Sequence, residues 1–348
     1  MHMADALISP AVGGTLWMAS GGLLAYSAKK VREEGDDSKI PLMGVLGAFI
    51  FAAQMINFSI PGTGSSGHLG GGLILAILLG PWAAFLVMAS VLTVQALFFA
   101  DGGLLALGGN IFNLGFFTCF VAYPLIYKKI VGNSLGGKRI MLGAILAGIV
   151  GLQFGAFGVA VETLASGISE LPFKTFVLLM QPIHLGIGLV EGLVTAGVVS
   201  FMLKARPEIL AAAAQRQPIG VSVKGALAGL AAAAVLTGAA LSWFASANPD
   251  GLEWAMLRTS GKEELESSGK LHGSLGALQA KTSFLPDYGF RKTEAARENA
   301  APAGEGEPAP AWPAVDAGTS VAGLVGGLLT LCLAGLVGLA LRRRSAAA

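Results

Sequence analysis

Histidine stands second in this chain, and that position allows unusual chemistry. The free amine of Met1, the backbone nitrogen of His2 and the His2 imidazole can all reach one metal ion. They close a five-membered chelate ring through the backbone and a six-membered ring through the side chain. A late first-row divalent ion such as Ni²⁺, Cu²⁺ or Co²⁺ suits nitrogen ligands, and a flat or tetragonal arrangement favours Ni²⁺ or Cu²⁺. Deprotonation of the His2 amide would make binding pH-dependent, because the metal displaces protons. One further nitrogen would complete a four-coordinate site. The alternative is that His2 is an ordinary residue of a loose terminus.

A candidate for the fourth nitrogen lies in the stretch Asn57 to Gly72, dense in Gly, Pro and Ser and so not regular helix. Its one histidine, His68, directly precedes an apolar run. It can serve as a ligand, or as a histidine at a helix N-terminus hydrogen-bonded to a carbonyl. Asn57 and Gln54 lie close enough to support the ligands from a second layer. His184 and Glu191 sit two helical turns apart within one apolar segment. Ionisable groups in a bilayer are costly and face the bundle interior or a polar cavity, so this pair is either structural or a support for the ligands. His272 reads as a solvated residue, with a transient role in relaying metal as the alternative. Met3 is a soft thioether that could shade the site.

These residues need a scaffold, and composition says what kind. Of 348 residues, 54% are hydrophobic and only 13% charged, about half the charge of a soluble domain. The chain reads as an all-α polytopic membrane protein. Its 50 glycines let membrane helices approach closely. A net charge of +2 gives no reason to expect a nucleic-acid partner. Cys119 and Cys332 lie in apolar segments and read as packing residues. The N-terminus lacks a positive n-region, and Asp5 and Pro10 interrupt its first apolar run. It is therefore expected to stay uncleaved, and the bulk of His2 is expected to keep Met1 in place.

Nine candidate spans are predicted, at about 11–28, 40–58, 69–80, 82–100, 104–127, 139–161, 173–203, 225–246 and 320–341. Gly80-Pro81 separates the third from the fourth, and the third is short for a crossing. Basic residues group at Lys29, Lys30, Arg32 and Lys39; at Lys128, Lys129, Lys138 and Arg139; at Lys204, Arg206, Arg216 and Lys224; and at Arg342, Arg343 and Arg344. With the N-terminus outside, nine spans put all four groups in the cytoplasm, and His2 and His68 share the extracytoplasmic side. Three parts result. Residues 1–204 form a seven-span bundle and 205–224 a polar cytoplasmic linker. Residues 225–341 form a two-span hairpin with an external loop at about 247–319, ahead of a cytoplasmic tail at 342–348. Within that loop, Glu298 to Pro313 reads as low-complexity linker.

Other machinery is missing from the sequence. It carries no P-loop, no His-Glu-x-x-His motif, no Ser/His/Asp set and no Arg-rich voltage-sensor helix. It also shows no pair of inverted halves with matching broken helices.

Three stretches carry a resemblance. Met1-His2-Met3-Ala4-Asp5-Ala6-Leu7-Ile8-Ser9-Pro10 resembles the start of the CbiM/NikM family, the substrate-binding membrane components of energy-coupling-factor (ECF) cobalt and nickel transporters. Asn57-Phe58 followed by Ser66-Gly67-His68-Leu69-Gly70-Gly71 is similar to that family's second signature. Pro249-Asp250-Gly251-Leu252-Glu253-Trp254 resembles the signature of the small accessory subunit CbiN/NikN. The resemblance covers about residues 1–204 and 225–341. It implies a metal held by the amino terminus, the backbone nitrogen and ring of His2, and the ring of His68. It also implies a T-type membrane scaffold subunit and cytoplasmic ATPase subunits as partners, in the cell membrane, with the accessory unit fused here. Many relatives have Ile-Pro after Met-His where this chain has Met3-Ala4.

The expected function is therefore capture of Co²⁺ or Ni²⁺ as transported substrate, with no organic cofactor and no catalysis by this chain. A nitrogen set would reject Mg²⁺ and Ca²⁺, which want oxygen. The rivals are an intramembrane metalloenzyme using Glu162 or Glu191, which would need an open coordination position, and a passive channel with structural histidines.

Overall fold

The computed structural model describes residues 2–132, 136–169, 171–215, 217–220, 222–262, 265, 269–291 and 312–342. Met1, Arg216, Arg343, Arg344, the tail from 343 and most of the Glu298–Pro313 stretch lie outside them. The protein is an all-α polytopic membrane protein. Helix α1 is Pro10–Glu34: Ser9 caps it by accepting a bond from the Val12 N–H, Pro10 opens it, and left-handed Gly35 ends it. Then come α2 (Lys39–Gln54), the short strands β1 (Phe58–Ile60) and β2 (Ser65–Gly67), and α3 (Gly72–Leu79). Four long apolar helices follow: α4 (Pro81–Phe99), α5 (Leu107–Val131), α6 (Gly137–Ser166) and α7 (Phe173–Ala205). The C-terminal part holds α8 (Pro207–Gln215), α9 (Lys224–Ala239), α10 (Gly251–Ser260), α11 (Lys270–Thr282) and α12 (Ala317–Leu341).

Three expectations need correction. The second span stops at Gln54 rather than 58, because the chain turns into an antiparallel pair that sets Phe58 opposite Gly67. The third span is an eight-residue helix. At about 1.5 Å per residue it is too short for a core of about 30 Å. The segment ahead of it is not helical, although Ser65, Ser66 and Leu69 are buried. The nine predicted spans are therefore not nine full-length crossings. The polar linker, finally, contains α8, whose Ile209, Leu210, Ala212 and Ala213 are buried. Its alanine run favours helix, and its apolar face packs on α3 and α7.

Close helix approach holds the bundle together. Lipid offers no hydrophobic drive between apolar helices, so small residues at the contact decide how well they pack. Gly188 and Gly192 of α7 meet α6 backbone to backbone: a Cβ on Gly192 would lie 2.3 Å from the Ile145 Cα. Gln153 and Gln181 lock the same pair, with the Gln153 Nε2 donating to the Gln181 carbonyl at 2.7 Å. Helices α9 and α12 pack on α2, so the C-terminal hairpin is docked on the bundle. Cys119 is buried, Cys332 is exposed, and both are free thiols.

Candidate metal centre

The N-terminal segment is moored by its own backbone. The Met3 N–H donates to the Asn110 side-chain oxygen at 2.8 Å, and the Asn110 amide donates back to the Met3 carbonyl at 3.1 Å. The Gly103 N–H adds a bond to that carbonyl at 3.0 Å. Two residues on, the Asp5 carboxylate accepts the Ala106 N–H at 2.9 Å. Burial raises the Asp5 pKa, partly offset by such backbone donors. Met3 itself is fully buried in the core. These anchors hold the chain from residue 3 onward, which fixes where His2 must lie.

The structure brings His2 and His68 together. Their rings stack with centroids 5.0 Å apart and planes 5° from parallel. The His68 Nδ1 lies 2.9 Å from the Leu69 carbonyl, so Nδ1 carries the proton and Nε2 keeps its lone pair. Burial above all lowers its pKa to about 3, so the ring is neutral. The carbonyl bond of the alternative reading and a free ligand nitrogen thus coexist in one residue. The His2 Nδ1 is 3.0 Å from an Asp101 carboxylate oxygen, while its Nε2 is buried without a hydrogen-bond partner. A six-membered chelate ring uses Nδ1, so the nitrogen that it needs is the one facing Asp101 here.

The loop that carries His68 is held from below. Both oxygens of Glu191 accept the Gly71 N–H, and one also accepts the Gly70 N–H at 2.9 Å. Gln54 donates to the Gly70 carbonyl at 2.8 Å and accepts from Gln95 at 2.8 Å. A buried non-helical segment must satisfy its backbone groups in this way. Glu191 is therefore a loop anchor, with no hydrogen bond to His184. Replacing Glu191 with Ala would orphan two buried N–H groups, at a cost of roughly 3 kcal/mol. We expect a lower thermal midpoint in detergent for E191A and weaker metal binding, because the His68 loop loosens; an unchanged midpoint would show that the anchor is dispensable.

The remaining predicted residues separate. Asn57 lines the cavity beside His2, and its carbonyl accepts the Ser246 N–H at 2.7 Å. His184 is buried; its Nδ1 bonds the Met180 carbonyl at 2.8 Å and its Nε2 is unpartnered. It shares a cavity of about 10 Å³, room for a single water, with His68 and Asp250. His272 is not solvated. It is 4% exposed, and its Nε2 lies 2.9 Å from the Ile8 carbonyl; a carbonyl at the end of the N-terminal segment needed a partner. Glu162 is bonded by the Asn113 amide at 2.9 Å.

Sequence reasoning missed the acidic lining. A cavity of about 360 Å³ opens at the two rings, and Asp101, Asp250, Glu253 and Asp287 line it together with Tyr288. Burial would raise the Asp101 carboxyl, but His2 and the Tyr288 hydroxyl hold it well below the usual carboxylate range. Burial and the neighbouring Asp250 push Glu253 up to about 7. One signal was available: Asp101-Gly102 forms a turn at the end of an apolar run, level with the His68 loop.

The stretch Pro249 to Glu253 now has a physical reading. The Asp250 side chain caps α10 by accepting the Leu252 and Glu253 N–H groups, and the Glu253 carboxylate accepts the Asp250 N–H at 2.9 Å. This reciprocal capping box satisfies orphan donors at the helix start. Gly251 is required because a Cβ would sit 2.7 Å from Ile183 and 3.2 Å from the His184 ring. Leu252 is buried, and the Pro249 carbonyl accepts the Ser66 N–H at 2.8 Å. The hairpin therefore grips β2, next to His68.

Among the described residues, no three His, Cys, Asp or Glu side chains converge as a metal-ligand set. A metal at the two imidazoles would draw its other donors from the main chain. Comparison with known proteins bears on such a site. Residues 2–209 match the family model described as the cobalt uptake substrate-specific transmembrane region, and residues 224–343 match the PDGLE domain. A Haloquadratum walsbyi protein named for metal transport is 36% identical over 60% of this chain and 93% of its own length. An Archaeoglobus fulgidus protein named as a fused nickel transport protein, NikMN, is 37% identical over 65% of this chain and 74% of its own. The crystal structure of a truncated transition metal transporter superposes with a TM-score of 0.52 at 32% identity, covering 59% of this chain and 99% of that one. The chain thus belongs to the CbiM family, as a metal-uptake membrane component, and carries a PDGLE domain behind its family region.

Proposed function

We propose that this chain captures Co²⁺ or Ni²⁺ for an ATP-driven ECF importer, holding the ion by the Met1 amine, the His2 amide and ring, and the His68 Nε2. The observation that carries this reading is the stacked His2–His68 pair at the head of an acid-lined cavity. Four carboxylates lining one cavity raise the local concentration of cations, and the nitrogen set then discriminates against Mg²⁺ and Ca²⁺. On capture the His2 ring makes a half-turn. Nδ1 leaves Asp101 for the metal, and Nε2 moves to the former Cε1 position on the Asp101 side. The orphaned nitrogen so gains a carboxylate partner, an arrangement common behind metal-bound histidines.

Residues 1–204 act as the metal-binding bundle, 205–224 as the linker and 225–341 as the accessory hairpin. The hairpin loop closes over the site from the outside. The positive-inside pattern supports an extracytoplasmic N-terminus in the cell membrane and a cytoplasmic C-terminus. The chain hydrolyses no ATP itself. A T-type scaffold and ATPase subunits supply that work and drive release inward. Protein purified from cells supplied with equal Co²⁺ and Ni²⁺ should carry about one transition-metal ion per chain. Protein that stays metal-free after such growth, and binds neither ion when titrated, would overturn the reading.

A further inference from the structure

The PDGLE-domain loop reaches the metal site a second time, far from the Pro249–Glu253 stretch. Tyr288 donates its hydroxyl hydrogen to one Asp101 oxygen, and the other Asp101 oxygen faces the His2 ring at 3.0 Å. The Tyr288 ring stacks on Phe99, with centroids 5.1 Å apart and planes 17° from parallel. Its backbone has φ 57° and that of Asp287 has φ 52°. Two successive non-glycine residues in the left-handed region cost free energy and persist only where the surroundings impose them. Those surroundings are visible: the Leu285 N–H bonds the Phe98 carbonyl at 3.3 Å, and Gln279 donates to the Ala96 and Gly102 carbonyls at 2.8 and 2.7 Å. The strap from α11 to Tyr288 is tied to both sides of the turn that carries Asp101.

We propose that Tyr288 is a positioning residue for metal capture, acting through Asp101 on the orientation of the His2 ring. This deepens the reading of His2 as a ligand and rests on it. A carboxylate free to rotate would hold the ring loosely; one pinned by a hydroxyl on its far side presents a single oxygen to it. Phe at 288 would keep the stack on Phe99 and lose the hydroxyl's contacts with Asp101 and Gln95. Partners behind a metal ligand typically contribute ten- to a hundredfold in affinity.

The test is Ni²⁺ titration of the purified full chain, read by affinity and by the ligand-field spectrum at saturation. Four variants are compared with wild type: Tyr288→Phe, Asp101→Asn, the two combined, and His2→Ala. We expect Y288F to weaken binding about tenfold and to shift the spectrum. A residue that only stabilises the fold would leave the saturated spectrum unchanged. The double variant should lose no more than the worse single one, because both act through one contact. Y288F binding within about twofold of wild type, with an unchanged spectrum, overturns the proposal while H2A still abolishes binding. Additive losses in the double variant overturn it as well, and D101N read alone serves if Y288F does not fold: wild-type binding by D101N overturns it. H2A binding like wild type removes the ligand assignment itself, and the proposal with it.

Discussion

Placing one extra residue ahead of Met1 should abolish Ni²⁺ and Co²⁺ uptake, and His2→Ala should do the same. The two variants fail for different reasons. H2A removes the ring that stacks on His68 at 5.0 Å and leaves the backbone donors. The extension keeps every side chain but turns the Met1 nitrogen into an amide, which binds a metal only after losing its proton, and it moves the free amine one residue beyond the site. Removing a partner behind a metal ligand costs up to about a hundredfold, so losing a ligand costs at least that. Isothermal titration of each variant, with uptake by cells that carry the partner subunits, measures the effect. Wild-type uptake by the extended protein would exclude the Met1 amine as a ligand, and wild-type affinity in H2A would exclude the chelate altogether.

The fold class was legible because a helical crossing needs about 20 apolar residues, and α4 to α7 and α12 supply them without ambiguity. Where backbone groups are satisfied by distant side chains, the sequence was less informative. The turn after Gln54 and the eight-residue α3 depend on Glu191, more than a hundred positions away, taking the Gly70 and Gly71 N–H groups. No local pattern reveals such a bond. Similarly, the two histidines were legible because imidazole is rare here and its chemistry narrow. Asp101 and Tyr288 were not, since an acid beside Gly and a tyrosine in a charged loop read as surface until the fold closes them over His2. His272 misled for the same reason: it belongs to a loop rich in charge, Pro, Gly and Ser, but its neighbour in space is the Ile8 carbonyl.

Asn110 makes the sharpest case of a residue that matters without touching the ion. Its amide accepts from the Met3 N–H and donates to the Met3 carbonyl, both buried. Asn110→Leu keeps the volume, orphans the Met3 N–H and leaves the Met3 carbonyl with the Gly103 bond alone, at a cost of about 1–3 kcal/mol while the segment stays docked. Water satisfies the freed N–H once residues 2 and 3 swing away, so the undocked state gains by roughly 2 kcal/mol. Apparent affinity falls with the fraction of binding-competent chains, and about 1.4 kcal/mol is tenfold, so Ni²⁺ binding should weaken by up to about thirtyfold. The ligands are unchanged, however, and saturating Ni²⁺ pulls the segment back. N110L at saturation should therefore show the wild-type ligand-field spectrum, which H2A cannot recover. Retention of wild-type affinity by N110L would mean that the terminus needs no mooring, and an altered saturated spectrum would mean that Asn110 shapes the coordination itself rather than the population able to form it.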